Sequence, residues 1–357
     1  MRLLTATVAA TFVVPTLAGL PVQAQPGPDL RWQESVVDPD QSFRGLDAVD
    51  RRTAWISGGS TSGGSGSVWR TTDGGASWQD VSPPDAEGLS FRDVEARSAT
   101  TAVVLAIGPG EASRVYRTTD GGVSWAETFR NTDEEAFYNC LDFYPGGNRG
   151  LAVSDPVDGK FRIIATDDGG QSWRVLPDTG MPDASGEFNF SASGECLVIE
   201  GRHAWFGSGG AASRVFHSTD RGMTWQAMDS TIPAGEAAGV FGLAVKNPRQ
   251  AVAVGGNFAA PADGVDASAY STDGRTWTNG GDIGHLGEDA AWFPGTRRTV
   301  LVVGESGVIG GSSVSHDGGR TWTVFSESGY HTLDCTTDKA CWAAGGGGRV
   351  ALLSADR

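Results

Sequence analysis

A chain of 357 residues carrying 27 Lys and Arg against 43 Asp and Glu, for a formal charge of −16, lacks the clustered cations that gripping a nucleic-acid backbone requires. Its acidic balance promotes solubility and repels anionic lipid headgroups. With 52 Gly, 12 Trp and only 20% charged residues, its apolar runs are short and broken by Gly, Ser and Asp, a pattern of many short strands without a sustained helical period.

At the N-terminus, Arg2 precedes an apolar stretch from Leu3 to Leu20. Val22-Gln23-Ala24 then offers small residues at the first and third positions, so 1–24 is predicted to be a cleaved export signal. Thr5, Thr7, Thr11, Pro15 and Thr16 interrupt the stretch, which barely reaches the roughly 18 to 20 apolar residues of a membrane span. No Cys stands near the cut to carry a lipid, and no later segment is long and apolar enough to cross a bilayer. The rest, 25–357, is expected to be a single domain, a monomer without stable membrane insertion, secreted or held in the periplasm or cell envelope.

One eight-residue phrase recurs: TTDGGASW (Thr71 to Trp78), TTDGGVSW (Thr118 to Trp125), TDDGGQSW (Thr166 to Trp173), STDRGMTW (Ser218 to Trp225) and SHDGGRTW (Ser315 to Trp322). STDGRTW, Ser271 to Trp277, is one residue shorter. The aspartates Asp73, Asp120, Asp168, Asp220, Asp273 and Asp317 are spaced 44 to 53 residues apart, the length of one four-stranded propeller blade. Each phrase reads as a pinned hairpin turn. The carboxylate accepts from backbone N–H and nearby hydroxyls, glycine permits positive φ, and the tryptophan anchors the returning strand between sheets. These aspartates are therefore structural.

Around each phrase the units align, with an inner strand such as SFRGLDAV (Ser42 to Val49) or SFRDVEAR (Ser90 to Arg97) and two more strands before the turn. Six units are complete, and the chain after Trp322 supplies three strands of a seventh. The fold expected is all-β, a seven-bladed β-propeller in which Arg31 to Val37 completes the C-terminal blade antiparallel to Arg349 to Asp356. Trp32 would then stand where the other phrases place their tryptophan. Closing the ring in this way covers an edge that would otherwise invite aggregation.

Four cysteines in an exported chain point to disulfides. Cys335 and Cys341 flank the short polar stretch TTDKA and face each other across its hairpin. Cys140 and Cys196 hold matching places in successive repeats, FYNCLDFY and SGECLVIE, which brings them near one another while leaving their pairing open. A metal site would require these two distant pairs to converge, so no metal is expected, and no cofactor.

Propeller ligands sit on the face made by loops entering strand one and loops joining strands two and three. Those rules nominate Arg44, Arg92, Tyr138 and His331 at inner-strand starts, with Asp155, Asp158, Lys160, Arg162 and Glu305 from the second kind of loop. They form either a binding rim or a ring of solvated charge.

The phrases match the Asp-box, or BNR repeat, S/T-x-D-x-G-x-S/T-W. The pairing of SFRDV with TTDGGxSW along nearly the whole chain resembles the photosystem II stability/assembly factor family and its exported bacterial relatives. That resemblance implies a seven-bladed propeller that binds partners during assembly of membrane protein complexes. Some of those relatives carry the label oxidoreductase, but no dinucleotide fingerprint, CxxC pair or haem CxxCH is present here. The expected work is a non-catalytic scaffold for a protein partner, a membrane-complex subunit among the candidates. The alternative is a glycoside hydrolase acting on an extracellular glycan. Phe161-Arg162-Ile163-Ile164 is similar to the FRIP motif of sialidases but precedes the third phrase and lacks the proline. Asp155 with Glu305 or Asp289 would supply the two carboxylates of a xyloglucanase-like cleft.

Overall fold

The computed structural model describes residues 29–356; the expected export signal lies outside them. Seven antiparallel sheets form a closed ring. Blade 1 is built from Gln41–Ala48, Ala54–Ser60, Ser67–Thr71 and Gln79–Asp80, and blades 2 to 6 repeat this meander from inner strands Ser90–Ala96, Tyr138–Phe143, Leu197–Glu200, Ala238–Asn247 and Asp289–Trp292. Blade 7 contains Thr332–Cys335, Cys341–Ala344 and Arg349–Asp356, and its fourth strand is Asp29–Val36 from the N-terminus. The closing pair is antiparallel in unbroken register from Asp29 opposite Asp356 to Val36 opposite Arg349.

The core is divided among the junctions between blades, each with its own buried cluster. At the junction of blades 1 and 2, Trp55, Val68 and Val81 meet Phe91, Val94 and Val104. The turn tryptophans lie in these junctions. Trp322 Nε1 donates to Ser268 Oγ of the preceding blade at 3.0 Å, and Trp32 Nε1 makes the same bond to Ser312 Oγ at 2.9 Å. Trp32 therefore occupies the seventh turn-tryptophan position, although its strand comes from the opposite end of the chain.

In the turns, Asp73 accepts from Thr71 Oγ1 and the Ser77 amide at 2.9 Å and from Ser77 Oγ at 2.6 Å, and the other five turn aspartates hold matching bonds. The Ser77 hydroxyl and amide, with Thr71, pull the Asp73 carboxyl down to about 2. The second glycine of the phrase is needed for approach as well as for its φ of 83° at Gly122, where a Cβ would lie 2.5 Å from Val81 Cβ. The first glycine is less constrained, and Arg221 replaces it at φ 68°. Gly74, Gly121, Gly169 and Gly318 donate to the hairpins between strands one and two, so both kinds of turn share one face. The opposite face carries the loops between strands two and three.

Carboxylates link the inner strands. Asp334 accepts from the Ala48 amide, Asp47 from Ala96, Asp93 from Leu141, Asp142 from Ile199 and Asp289 from Leu333. Each of these bonds crosses to the next blade.

Both disulfides are formed. Cys335–Cys341 closes the hairpin of blade 7, and Cys140–Cys196 ties blade 3 to blade 4 with a Cα–Cα distance of 6.0 Å. Such bonds suit an oxidising compartment, and among the described residues no helix is long and apolar enough to cross a membrane. Chain-entropy scaling over separations of 6 and 56 residues gives about 2 and about 4 kcal/mol for the two bonds. Non-reducing peptide mapping is expected to recover both linkages, and Cys140→Ser/Cys196→Ser to lower the melting temperature more than Cys335→Ser/Cys341→Ser. Four titratable thiols in the purified protein would contradict this.

Candidate functional site

Each inner strand enters from the loop face, and in blades 1, 2, 3 and 5 its register breaks at the same place, between Phe43 and Gly45, Phe91 and Asp93, Tyr138 and Cys140, and Val240 and Gly242. A bulge turns the extra residue out of the ladder. These residues are Arg44, Arg92, Asn139 and Phe241. Blades 6 and 7 follow suit, since Glu288 and Asp289 both face Val303, and His331 and Thr332 both face Ala344. Six blades thus each turn one residue out of the ladder at this end. Five of these, Arg44, Arg92, Phe241, Glu288 and His331, line the hollows at the channel mouth, while Asn139 is buried against Asp155. In blade 4 the place is taken by the segment Phe190 to Glu195, which leads into a short 3-10 turn, Gly194–Cys196.

Around one side of the mouth the charges are paired. Arg44 Nη1 donates to the Ala192 carbonyl at 2.8 Å and to Glu288 Oε1 at 3.0 Å. The other oxygen of Glu288 meets His331 Nδ1 at 2.7 Å, and His331 Nε2 lies 3.2 Å from Glu305. Glu305 is also bound by Arg349 and by the Gly346 amide. Burial pushes the Glu288 carboxyl upward, but His331 and Arg44 outweigh it and hold the group below its usual range. Arg349 reaches on to Glu34 of the closing strand at 3.2 Å, and Tyr330 hydroxyl donates to the same carboxylate. The mouth is therefore wired to ring closure.

On the other side Arg92 has no such partner. Among the described residues it makes no ion pair, and its Nε, shut off from solvent, meets no acceptor. Burial, then repulsion from Arg44, brings its guanidinium down to about 9, opposed by the attraction of Glu288, which it does not contact. Beside it stands an aromatic wall in which Phe190 packs edge-on against Phe241 and Phe258 with centroids 5.2 and 5.8 Å apart. Arginines and phenylalanines enclose a cavity of about 310 Å³. Arg44, Glu305 and Ser306 are shared with an adjoining hollow of about 680 Å³ whose lining includes Gly307, Gly346 and Gly347.

Of the nine rim residues expected, Arg44, Arg92, Glu305 and His331 converge at this mouth, with Glu305 and His331 buried inside the charge network rather than solvated. Tyr138 is a correction. It is fully buried against Phe129 in the junction of blades 2 and 3, because it matches Phe43 and Phe91, and the bulged residue is its neighbour Asn139. Asp155 accepts from the Asn139 side chain and the Asn189 amide, and burial raises it to about 6. Asp158, Lys160 and Arg162 do not join the mouth and instead line a separate cleft of about 210 Å³ toward blade 4. Arg162 is ion-paired there with Asp133, and Asp289 is wholly buried under the Leu333 and Ala290 amides. The sialidase-like Arg162 is thus neutralised away from the mouth, and Asp289 is sealed from any cleft in which it could pair with Asp155. Sequence reasoning missed Glu288, Phe241 and Asn139, which aligning the inner strands one residue further along would have found. It also missed Phe190, Phe258 and Arg349, for which the repeat offers no signal.

These features define a closed seven-bladed propeller with a partly aromatic, partly cationic pocket at one channel mouth. Among solved structures, one described as YCF48 bound to D1 peptide is similar over 93% of this chain and 98% of its own, with a TM-score of 0.63 and 17% identity. YCF48 from Cyanidioschyzon merolae aligns over 90% and 98% at 0.60 and 15%, and the WD40 propeller domain of Doa1 over 92% and 96% at 0.57 and 11%. At such identities the likeness is one of fold, a YCF48-like propeller. No protein-family model and no curated protein matches the chain.

Proposed function

We propose that this chain is an exported propeller that holds a protein partner against its loop face, as a binding or assembly scaffold. The observation that carries the reading is the aromatic patch beside the mouth. Phe188 and Phe258 are 47% and 48% exposed, packed through Phe190, and set next to unneutralised cationic charge. Large apolar side chains grouped at a polar rim favour a protein partner. The solved YCF48 structure described as bound to D1 peptide supports the same use of the fold.

Affinity capture from envelope extracts tests this reading. Phe188→Ser/Phe258→Ser should lose the partners retained by the wild-type chain while keeping its melting temperature, because both side chains are half exposed in the folded protein. An unchanged set of partners would refute the reading.

A further inference from the structure

We propose that the mouth pocket seats the C-terminal carboxylate of a protein partner whose last side chain is apolar, Arg92 taking the carboxylate and the phenylalanine wall the side chain. This rests on the reading of the mouth as a protein-binding surface and gives its partner a chemistry.

The charges favour one negative group. Arg44 is matched by Glu288 and Arg349 by Glu305, whereas Arg92 meets no carboxylate among the described residues and holds a buried Nε–H without an acceptor. A guanidinium so placed is a ready donor to a carboxylate. One unmatched cation suits a monoanion. A phosphate would bring its second charge against Glu288 and Glu305, which line the same cavity.

Shape favours a chain end. The wall of Phe190, Phe241 and Phe258 stands in the cavity that Arg92 lines, so the ligand must present apolar surface and a carboxylate close together. A terminal residue does so because its carboxylate and side chain share one carbon. The cavity of about 310 Å³ admits a single such residue, and the adjoining hollow of about 680 Å³, which shares Arg44, Glu305 and Ser306 with it, has room for the residues before it. An internal acidic residue would require the chain to leave the pocket twice, and a free small acid would leave the second hollow empty.

The pocket also has the signature of a site kept at some cost to stability. Removing a partly buried cation that makes no ion pair among the described residues relieves desolvation, so Arg92→Met is expected to melt no lower than the wild-type chain.

Fluorescence anisotropy with labelled Gly/Ser peptides ending in Phe or Leu, each as free acid and as C-terminal amide, provides the test. The free acids should bind at least about tenfold tighter than the amides, a difference that should shrink to about onefold in Arg92→Met. N-acetyl-phenylalanine, the small-acid control, should compete at least about tenfold more weakly than the peptide acid. Equal binding of acid and amide, an undiminished preference in Arg92→Met, absence of peptide binding, or equal competition by the small acid would each overturn the proposal. If extract partners depend on Phe188 and Phe258 while acid and amide bind alike, only the terminus inference fails. If those partners ignore the phenylalanines, the broader reading fails with it.

Discussion

A chain beginning at Asp38, and so lacking Asp29–Val36, is expected to melt roughly 10 °C or more below the full-length domain and to aggregate on warming. The deleted strand pairs along its whole length with Arg349–Asp356 and inserts Leu30 and Trp32 into the junction of blades 6 and 7 beside Val314, Tyr330 and Leu353. Losing those side chains removes buried apolar area at a site whose neighbours cannot collapse without breaking the ring. It also bares the backbone edge of Arg349–Asp356, a template for pairing between molecules. Glu34 goes with the strand, so Arg349 and Tyr330 lose a shared partner at the mouth. Scanning calorimetry with light scattering checks the result; a truncated chain that stays monomeric with an unaltered melting temperature would exclude this closure. The point variant Trp32→Ala, which keeps the ladder, is expected to lie between the two.

The second large effect is a loss of stability as pH rises from about 5 to 8. Inside the channel, burial raises Asp93 to about 7 and Asp142 to about 8, and burial reinforced by neighbouring carboxylates drives Asp47, Glu95 and Glu195 well upward. Unfolded, these groups titrate near 4, so between about pH 4 and 8 the folded state holds more protons than the unfolded one. The stability they contribute is fully present below about pH 4 and is lost as pH rises through the folded values. For Asp93 and Asp142 together the loss between pH 5 and pH 8 is on the order of 6 kcal/mol, or roughly 9 °C in melting temperature. The turn aspartates act in the opposite sense. Held low by their hydroxyl and amide partners, Asp73, Asp120 and Asp168 contribute above about pH 4 and lose their contribution as pH falls through about 2. Stability should therefore peak on the acid side of neutrality. Asp93→Asn, which keeps an acceptor for the Leu141 amide, should flatten the slope and raise the melting temperature at pH 8. Equal melting at pH 5 and pH 8 in the wild-type chain would contradict the assignment.

Sequence and structure agree most closely where a residue's role is local. A turn aspartate finds its partners within four residues, so six repetitions of one phrase were enough to predict the hairpins and the period of a blade. The closing strand was legible for a related reason. The last unit lacked a fourth strand, and Arg31 to Val37 was the one strand-like segment unassigned, although the pairing begins two residues earlier at Asp29. Cys335 and Cys341 were legible as ends of a single hairpin. At the mouth a one-residue slip mattered, since a bulge sends one residue to the axis and its neighbour into the core, which separates Asn139 from Tyr138.

Blade number, turn chemistry and the direction of ring closure follow from the chain read alone, because each repeats a short-range pattern that needs no knowledge of distant neighbours. Which charges are neutralised is settled only by the closed ring. Arg44, Glu288, His331 and Glu305 come from three blades spread over nearly 290 positions, and their ladder of contacts exists because seven inner strands converge on one axis. The same convergence buries carboxylates close to one another on the inner strands and raises their protonation. It also leaves Arg92, identical to Arg44 in its repeat, without an ion-pair partner among the described residues. Two arginines in equivalent sequence positions thus differ in charge environment because Arg44 is ion-paired with Glu288, whereas Arg92 lines the same cavity without an ion pair among the described residues.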